Sequence, residues 1–210
     1  MKQFNGYDEA KKEAQAKPSE KLPAGAYVCK VLGVRYEDGT DDKSDRIVLQ
    51  IDVCEGEKKD FFKKQYDEDT SEDKKWKGRV SLYVPADDGS EKDKWTKKSF
   101  ASWTDSFEKS NAGYSWDWDE KKWKGKVIGI VYGETGTVID GREVLFTEAR
   151  FPVEADLVRQ GKAPEAKFKA KNGYKGDGSA TTAPAPGKPA TADKDGFVNI
   201  VDAVEDEIPF

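Results

Sequence analysis

Arg46-Ile-Val-Leu-Gln-Ile-Asp-Val53 alternates cleanly, with Ile47, Leu49, Ile51 and Val53 on one face and Arg46, Val48, Gln50 and Asp52 on the other. Successive side chains of a strand point to opposite faces, so this period of two marks a half-buried β-strand. Before it, Leu22-Pro-Ala-Gly25 punctuates the chain, and residues 26–36, rich in Val, Tyr and Cys, read as a preceding strand. Residues 37–45 are a polar turn region between the two. Downstream, residues 79–84 form a third strand with Val80, Leu82 and Val84 inward and Arg79, Ser81 and Tyr83 outward. Residues 97–110 then change period. Phe100, Trp103 and Phe107 fall at i, i+3 and i+7, and Asn111-Ala-Gly113 supplies a stop, which together predict a helix. A fourth strand over 126–134 and a fifth over 142–151 flank Asp140-Gly141, a strong tight-turn signal.

Three strands, a helix and two strands make an all-β chain with one helix. This is the element order of an OB-fold-like five-stranded barrel, in which the helix lies between strands three and four. Other small barrels and α+β sheets share the order. The long charged connection over 56–78 carries apolar points at Phe61, Phe62, Tyr66 and Trp76, with one helical turn expected near 61–66.

Composition narrows the chemistry. Charged residues make up 37% and apolar ones 36% of the 210 residues, too few apolar for one domain filling the chain, so part of it is tail. The chain contains no His, which removes imidazole metal ligands, His general bases and His-based triads. Cys29 and Cys54 stand alone within apolar runs and read as small buried hydrophobes in a reducing cytosol. No GxxxxGK[ST] or GxGxxG occurs, and the carboxylate pairs, such as Asp117 with Asp119, read as solvated turns. The expectation is a protein with no catalytic residues, cofactor or metal. No apolar h-region opens the chain and no run approaches the ~20 apolar residues of a membrane span, so the expected location is the cytoplasm.

Cations and aromatics interleave in two places. Lys63, Lys64 and Tyr66, then Lys74, Lys75, Trp76, Lys77 and Arg79, lead to outward Tyr83; Trp116 and Trp118 are followed by Lys121, Lys122, Trp123 and Lys124. Cations displace counterions from phosphates and exposed rings stack on unpaired bases, so this mixture suits single-stranded nucleic acid. Phe100, Trp103 and Phe107 are expected in the core. Trp116, Trp118 and Trp123 are candidates both for packing against the barrel and for stacking on bases, whereas Tyr66 and Trp76, set among charges, are expected at the surface.

The end of the chain is different again. Residues 171–196 are mostly Gly, Ala, Thr, Pro and Lys, a linker composition. Asp202, Glu205, Asp206 and Glu207 then precede Ile208, Pro209 and Phe210 without a basic residue. Those four carboxylates account for most of the formal net charge of −5 and leave −1 for the rest. An apolar tip placed after acids suits capture by a partner that pairs the carboxylates and seats the Phe ring. The expected organisation is an N-terminal arm over 1–24, the barrel over 25–153, a short helix and flexible linker over 154–200, and a docking tip over 201–210, with a disordered C-terminal tail.

Asp206-Glu207-Ile208-Pro209-Phe210 resembles the C-terminal tip of bacterial and phage single-stranded DNA-binding proteins. The body is similar to proteins encoded by phages and prophages of Gram-positive bacteria, through Leu22-Pro-Ala-Gly-Ala-Tyr27, Phe61-Phe-Lys-Lys-Gln-Tyr66, Lys75-Trp-Lys-Gly78 and Trp116-Asp-Trp-Asp-Glu-Lys121. The resemblance implies a hub in the bacterial host cytoplasm. Its body coats single-stranded DNA during phage replication and recombination, and its tip recruits replication, recombination and repair enzymes. A strand-annealing or recombination accessory protein is the alternative. A strand left at the barrel edge would also offer a pairing surface for a homo-oligomer.

Overall fold

The computed structural model describes residues 6–7, 20–40, 44–71 and 73–176. Six strands are described: β1 Gly25–Glu37, β2 Arg46–Val53, β3 Arg79–Tyr83, β4 Val127–Ile139, β5 Arg142–Val153 and β6 Lys169–Ala170. Three α-helices accompany them: α1 Phe61–Glu68, α2 Glu91–Ser110 and α3 Ala155–Arg159, with a 3-10 turn at Glu120–Trp123. The protein is mostly β. Strands lie in the order β3-β2-β1-β4-β5, each neighbour antiparallel, and β6 runs parallel to β4.

The sheet is not closed. Among the described residues no ladder joins β3 to β5, and α2 packs against both of these edge strands. The closed form of the expected barrel is therefore absent from the described sheet, while the helix between the third and fourth strands is present.

Alternation in β2 sorts side chains as the sequence predicts. Ile47, Leu49, Ile51 and Val53 join Phe100, Trp103 and Phe107 of α2 in one buried cluster. The other face is only partly wet. Val48 and Asp52 are buried there because α1 and the chain that follows it lie over β2. A bulge between Val31 and Gly33 shifts the register of β1 by one residue. Cys29 and Val31 point into the core before it, and Val34 packs against the core after it, so Gly33, Arg35 and Glu37 come to the outer face opposite Gln50, Val48 and Arg46. A bulge re-aims side chains in this way by inserting one extra residue.

Helix α2 starts six residues before the expected Lys97. Ser90 is its N-cap, accepting from the Asp93 amide at 3.1 Å, and Glu91 and Asp93 occupy the first turn where the helix dipole favours acids. Asp140 and Gly141 both have positive φ, 49° and 75°, the geometry of a two-residue hairpin turn. The β4–β5 hairpin is longer than expected, because its ladder runs out to Ile139 and Arg142. The expected short helix after residue 154 is Ala155–Arg159; the following chain returns to pair with β4 instead of continuing as helix. Among the described residues no helix is long and apolar enough to cross a membrane.

Candidate nucleic-acid interface

The outer face of β1, β2 and β3 carries most of the first cation–aromatic set. Asp52 organises it. Its carboxylate points outward from β2 and accepts from the amides of Phe62 at 2.9 Å and Lys63 at 3.1 Å, capping α1 from outside the helix. Asp60, the formal N-cap residue, has φ 60° and makes no side-chain cap. Burial pushes the Asp52 carboxyl up, against the three backbone amides, including that of Val53, that pull it down. With its start tied to the sheet, α1 presents Lys63 and Tyr66 beside the outer face, while the exposed Lys64 donates instead to the Lys59 carbonyl at 3.1 Å.

Trp76 is the pivot. Its indole N–H donates to the carbonyls of Ile51 at 3.0 Å and Gly78 at 3.1 Å, and the Ile51 amide donates to the same Gly78 carbonyl. Gly78 is required by this approach, since a Cβ there would lie 2.3 Å from the Ile51 carbonyl and 2.7 Å from the Phe62 ring. Trp76 and Tyr66 are half-buried, more enclosed than their charged sequence neighbours suggest, because each leans on the other with ring centroids 5.7 Å apart. The Lys74 ammonium sits 4.4 Å from the Tyr66 ring centre.

Two clefts meet at Trp76. One, of about 290 Å³, is lined by Trp76, Gly33, Arg35, Val48, Gln50, Lys75 and Arg79. The other, of about 430 Å³, is lined by Trp76, Tyr66, Lys63, Lys30 and Leu32, with Asp52, Asp60 and Asp67. Lys75, Lys77 and Arg79 are exposed, and Tyr83 stands half-exposed opposite Arg46 on the next strand. Lys63 pairs with Asp67 at 2.5 Å. Lys30, Arg35, Arg46 and Gln50 were not among the expected site residues. Arg46 and Gln50 were readable as the outward face of β2, whereas Arg35 reaches this surface only through the bulge.

The second set is dispersed. Trp123 is fully buried, stacked on Phe107 at 4.7 Å and on Trp116 at 4.8 Å, so it is core and presents no face to a base. Trp116 is half-buried between Trp123 and Phe100. Trp118 is the exception: it is 82% exposed, held at φ 65°, and its ring lies parallel to Phe100 at 6.5 Å. Lys122 is paired with Asp117 and Asp119, while Lys121 and Lys124 are exposed. Trp116 and Trp118 line a separate, largely apolar groove of about 660 Å³ with Tyr36, Ile47, Val84, Pro85 and Phe100, rimmed by Asp87, Glu120 and Lys97. That groove shares no lining residue with the Trp76 clefts, so the two sets line different cavities.

Among the described residues no group of three or more Cys, Asp or Glu side chains is placed to hold a metal ion. The docking tip, Asp202, Glu205, Asp206, Glu207, Ile208, Pro209 and Phe210, lies outside the described residues, as does most of the linker before it. The chain matches no family model, and no curated protein matches it.

Proposed function

We propose that the protein binds single-stranded DNA, without catalysis, across the outer face of β1, β2 and β3, and recruits partner enzymes through residues 202–210. In this reading it coats strands during phage DNA replication and recombination in the cytoplasm of a bacterial host. The observation that carries the reading is Trp76, an aromatic wall shared by two clefts that gather Lys30, Arg35, Lys63, Lys75 and Arg79. Base stacking on such a ring contributes about 1–3 kcal/mol per base and tolerates any sequence, while the cations follow the backbone. The fold is read as an OB-like sheet: β1, β2 and β3 form a meander, β4 pairs with β1, and α2 stands between β3 and β4. In OB-folds the face of strands two and three is a usual binding surface for oligonucleotides.

Intrinsic Trp fluorescence during titration with a dT oligonucleotide tests this reading, at low and then high salt and with matched duplex as control. Quenching by the single strand that weakens with salt and is much smaller for duplex is the expected result. No quenching and no mobility shift at micromolar protein would remove strand binding from the body and leave the tip as a protein-binding peptide.

A further inference from the structure

Three guanidinium groups from three adjacent strands converge on one carboxylate. Glu37 of β1 accepts from Arg35 Nη2 and, at 2.7 Å, from Arg46 Nε of β2, and Arg79 Nη2 of β3 stands 4.0 Å away. The register sets Glu37 directly opposite Arg46, whereas Arg79 pairs with Gln50 four residues farther along β2, so its side chain reaches back along the sheet toward Glu37. Arg46 first, then Arg35, holds the Glu37 carboxyl below its ordinary value. The group is left with excess positive charge, three cations to one anion, and Lys75 lines the same cleft as Arg35 and Arg79. The cations are also the accessible partners: the Arg35 and Arg79 side chains are 63% and 47% exposed, against 23% for Glu37.

Arginine pairs phosphate and carboxylate oxygens through the same planar fork of donors. A carboxylate that accepts from Arg35 and stands 4.0 Å from Arg79, both exposed guanidinium groups, therefore occupies the position a phosphate would take. We propose that Arg35, Arg79 and Lys75 form a phosphate clamp in which Glu37 is a built-in competitor. An entering phosphodiester replaces the Glu37 carboxylate as partner of Arg35 and Arg79, which line the cleft with Lys75, while Arg46 keeps its 2.7 Å bond to Glu37. The competing carboxylate lowers affinity and makes the strand easy to release, a useful property where a coat must be removed. This inference rests on the nucleic-acid reading of the outer face and adds to it the site that takes the backbone and the residue that limits its hold.

The test is fluorescence anisotropy of a labelled dT oligonucleotide across a salt series, with wild type, Glu37→Gln, and the pair Arg35→Ala and Arg79→Ala, each checked for folding by circular dichroism. Glu37→Gln should bind about 2–5-fold more tightly at low salt, the effect of releasing a surface ion pair. Each Arg→Ala change should weaken binding and flatten the plot of log affinity against log salt by about 0.7, the increment for one phosphate of a single strand. An abasic strand should show the same dependence on Arg35 and Arg79, because only phosphates are read there. Inorganic polyphosphate is the second arm: if Glu37→Gln tightens polyphosphate but not the strand, the clamp stands with a free polyanion as its ligand. Wild-type strand binding that neither Glu37→Gln nor the Arg variants alter would overturn the clamp and leave the single-strand reading intact. Absence of strand binding by wild type would instead remove that reading. Should Glu37→Gln fail to fold, the salt slopes of the two Arg variants decide alone.

Discussion

Trp76 and Trp123 stand next to lysines in very similar runs, Lys75-Trp-Lys-Gly78 and Lys122-Trp-Lys-Gly125, yet one lines two clefts and the other is sealed in the core. The difference dictates opposite outcomes on truncation. Trp76→Ala should weaken dT binding by about 1–3 kcal/mol per lost stack. Trp123→Ala should lower unfolding stability by about 3–5 kcal/mol, as large-to-small core changes do, with the loss visible in chemical denaturation. Asp93 supplies a pH prediction. Its side chain is buried, paired with Lys97 at 2.8 Å, and accepts from the amides of Asp87 and Gly89. Lys97 above all holds its carboxyl below the ordinary value. A carboxyl depressed in the folded state contributes stability that is fully present above the unfolded value of about 4 and is lost as pH falls through the folded one. Asp93→Asn should therefore be less stable than wild type at neutral pH, and the gap in melting temperature should close progressively below about pH 4.

At the scale of elements, two helices depend on one capping side chain each, Ser90 at the start of α2 and Asp52 of β2 at the start of α1. Ser90→Ala removes the cap of α2 and should cost about 1 kcal/mol, read in denaturant midpoints. Asp52→Ala removes the external cap of α1. Amide exchange over 61–68 should accelerate before the sheet responds, and strand binding should weaken because Lys63 and Tyr66 lose their footing. Gly78→Ala tests the chain that bears Trp76. A methyl group there meets the Ile51 carbonyl and the Phe62 ring, and overpacking of this kind costs roughly 1–3 kcal/mol. Its expected signature is a shifted Trp emission together with a lowered melting temperature.

For the whole molecule, the proposed binding face and the acidic tip are of opposite sign. If the four carboxylates of residues 202–210 compete with phosphates for the cations around Trp76, the competition is electrostatic and fades with salt. Deleting residues 202–210 should tighten strand binding at low salt, and the full chain and the truncated one should converge as salt rises. Equal affinity at every salt concentration would show that the tip does not meet the strand-binding face. Removing Phe210 alone leaves all four acidic side chains in place, so partner capture should fall while strand affinity hardly moves.

Local pattern by itself determined the five long strands in outline, the inward face of β2 and the part of the core that α2 supplies. The alternation of β2, the 3–4 spacing of Phe100, Trp103 and Phe107, and the Asp140-Gly141 turn each depend only on backbone geometry and nearest neighbours, so they are written in consecutive residues. The early start of α2 was also legible, in Ser90 and Asp93 at capping spacing, and was overshadowed by the apolar period that begins later. The fates of Trp76 and Trp123 depended on contacts distant in sequence. Trp123 is buried because it stacks on Phe107, and Trp76 is turned to the clefts because Ile51 and Gly78 accept its N–H. The gathering of Arg35, Arg46 and Arg79 around Glu37 required a bulge in β1 and the pairing of three strands. A one-residue register shift moves every later side chain to the other face, and composition alone carries no trace of it. Tertiary structure therefore decided which charges face one another and left the sheet open, with α2 against both edge strands.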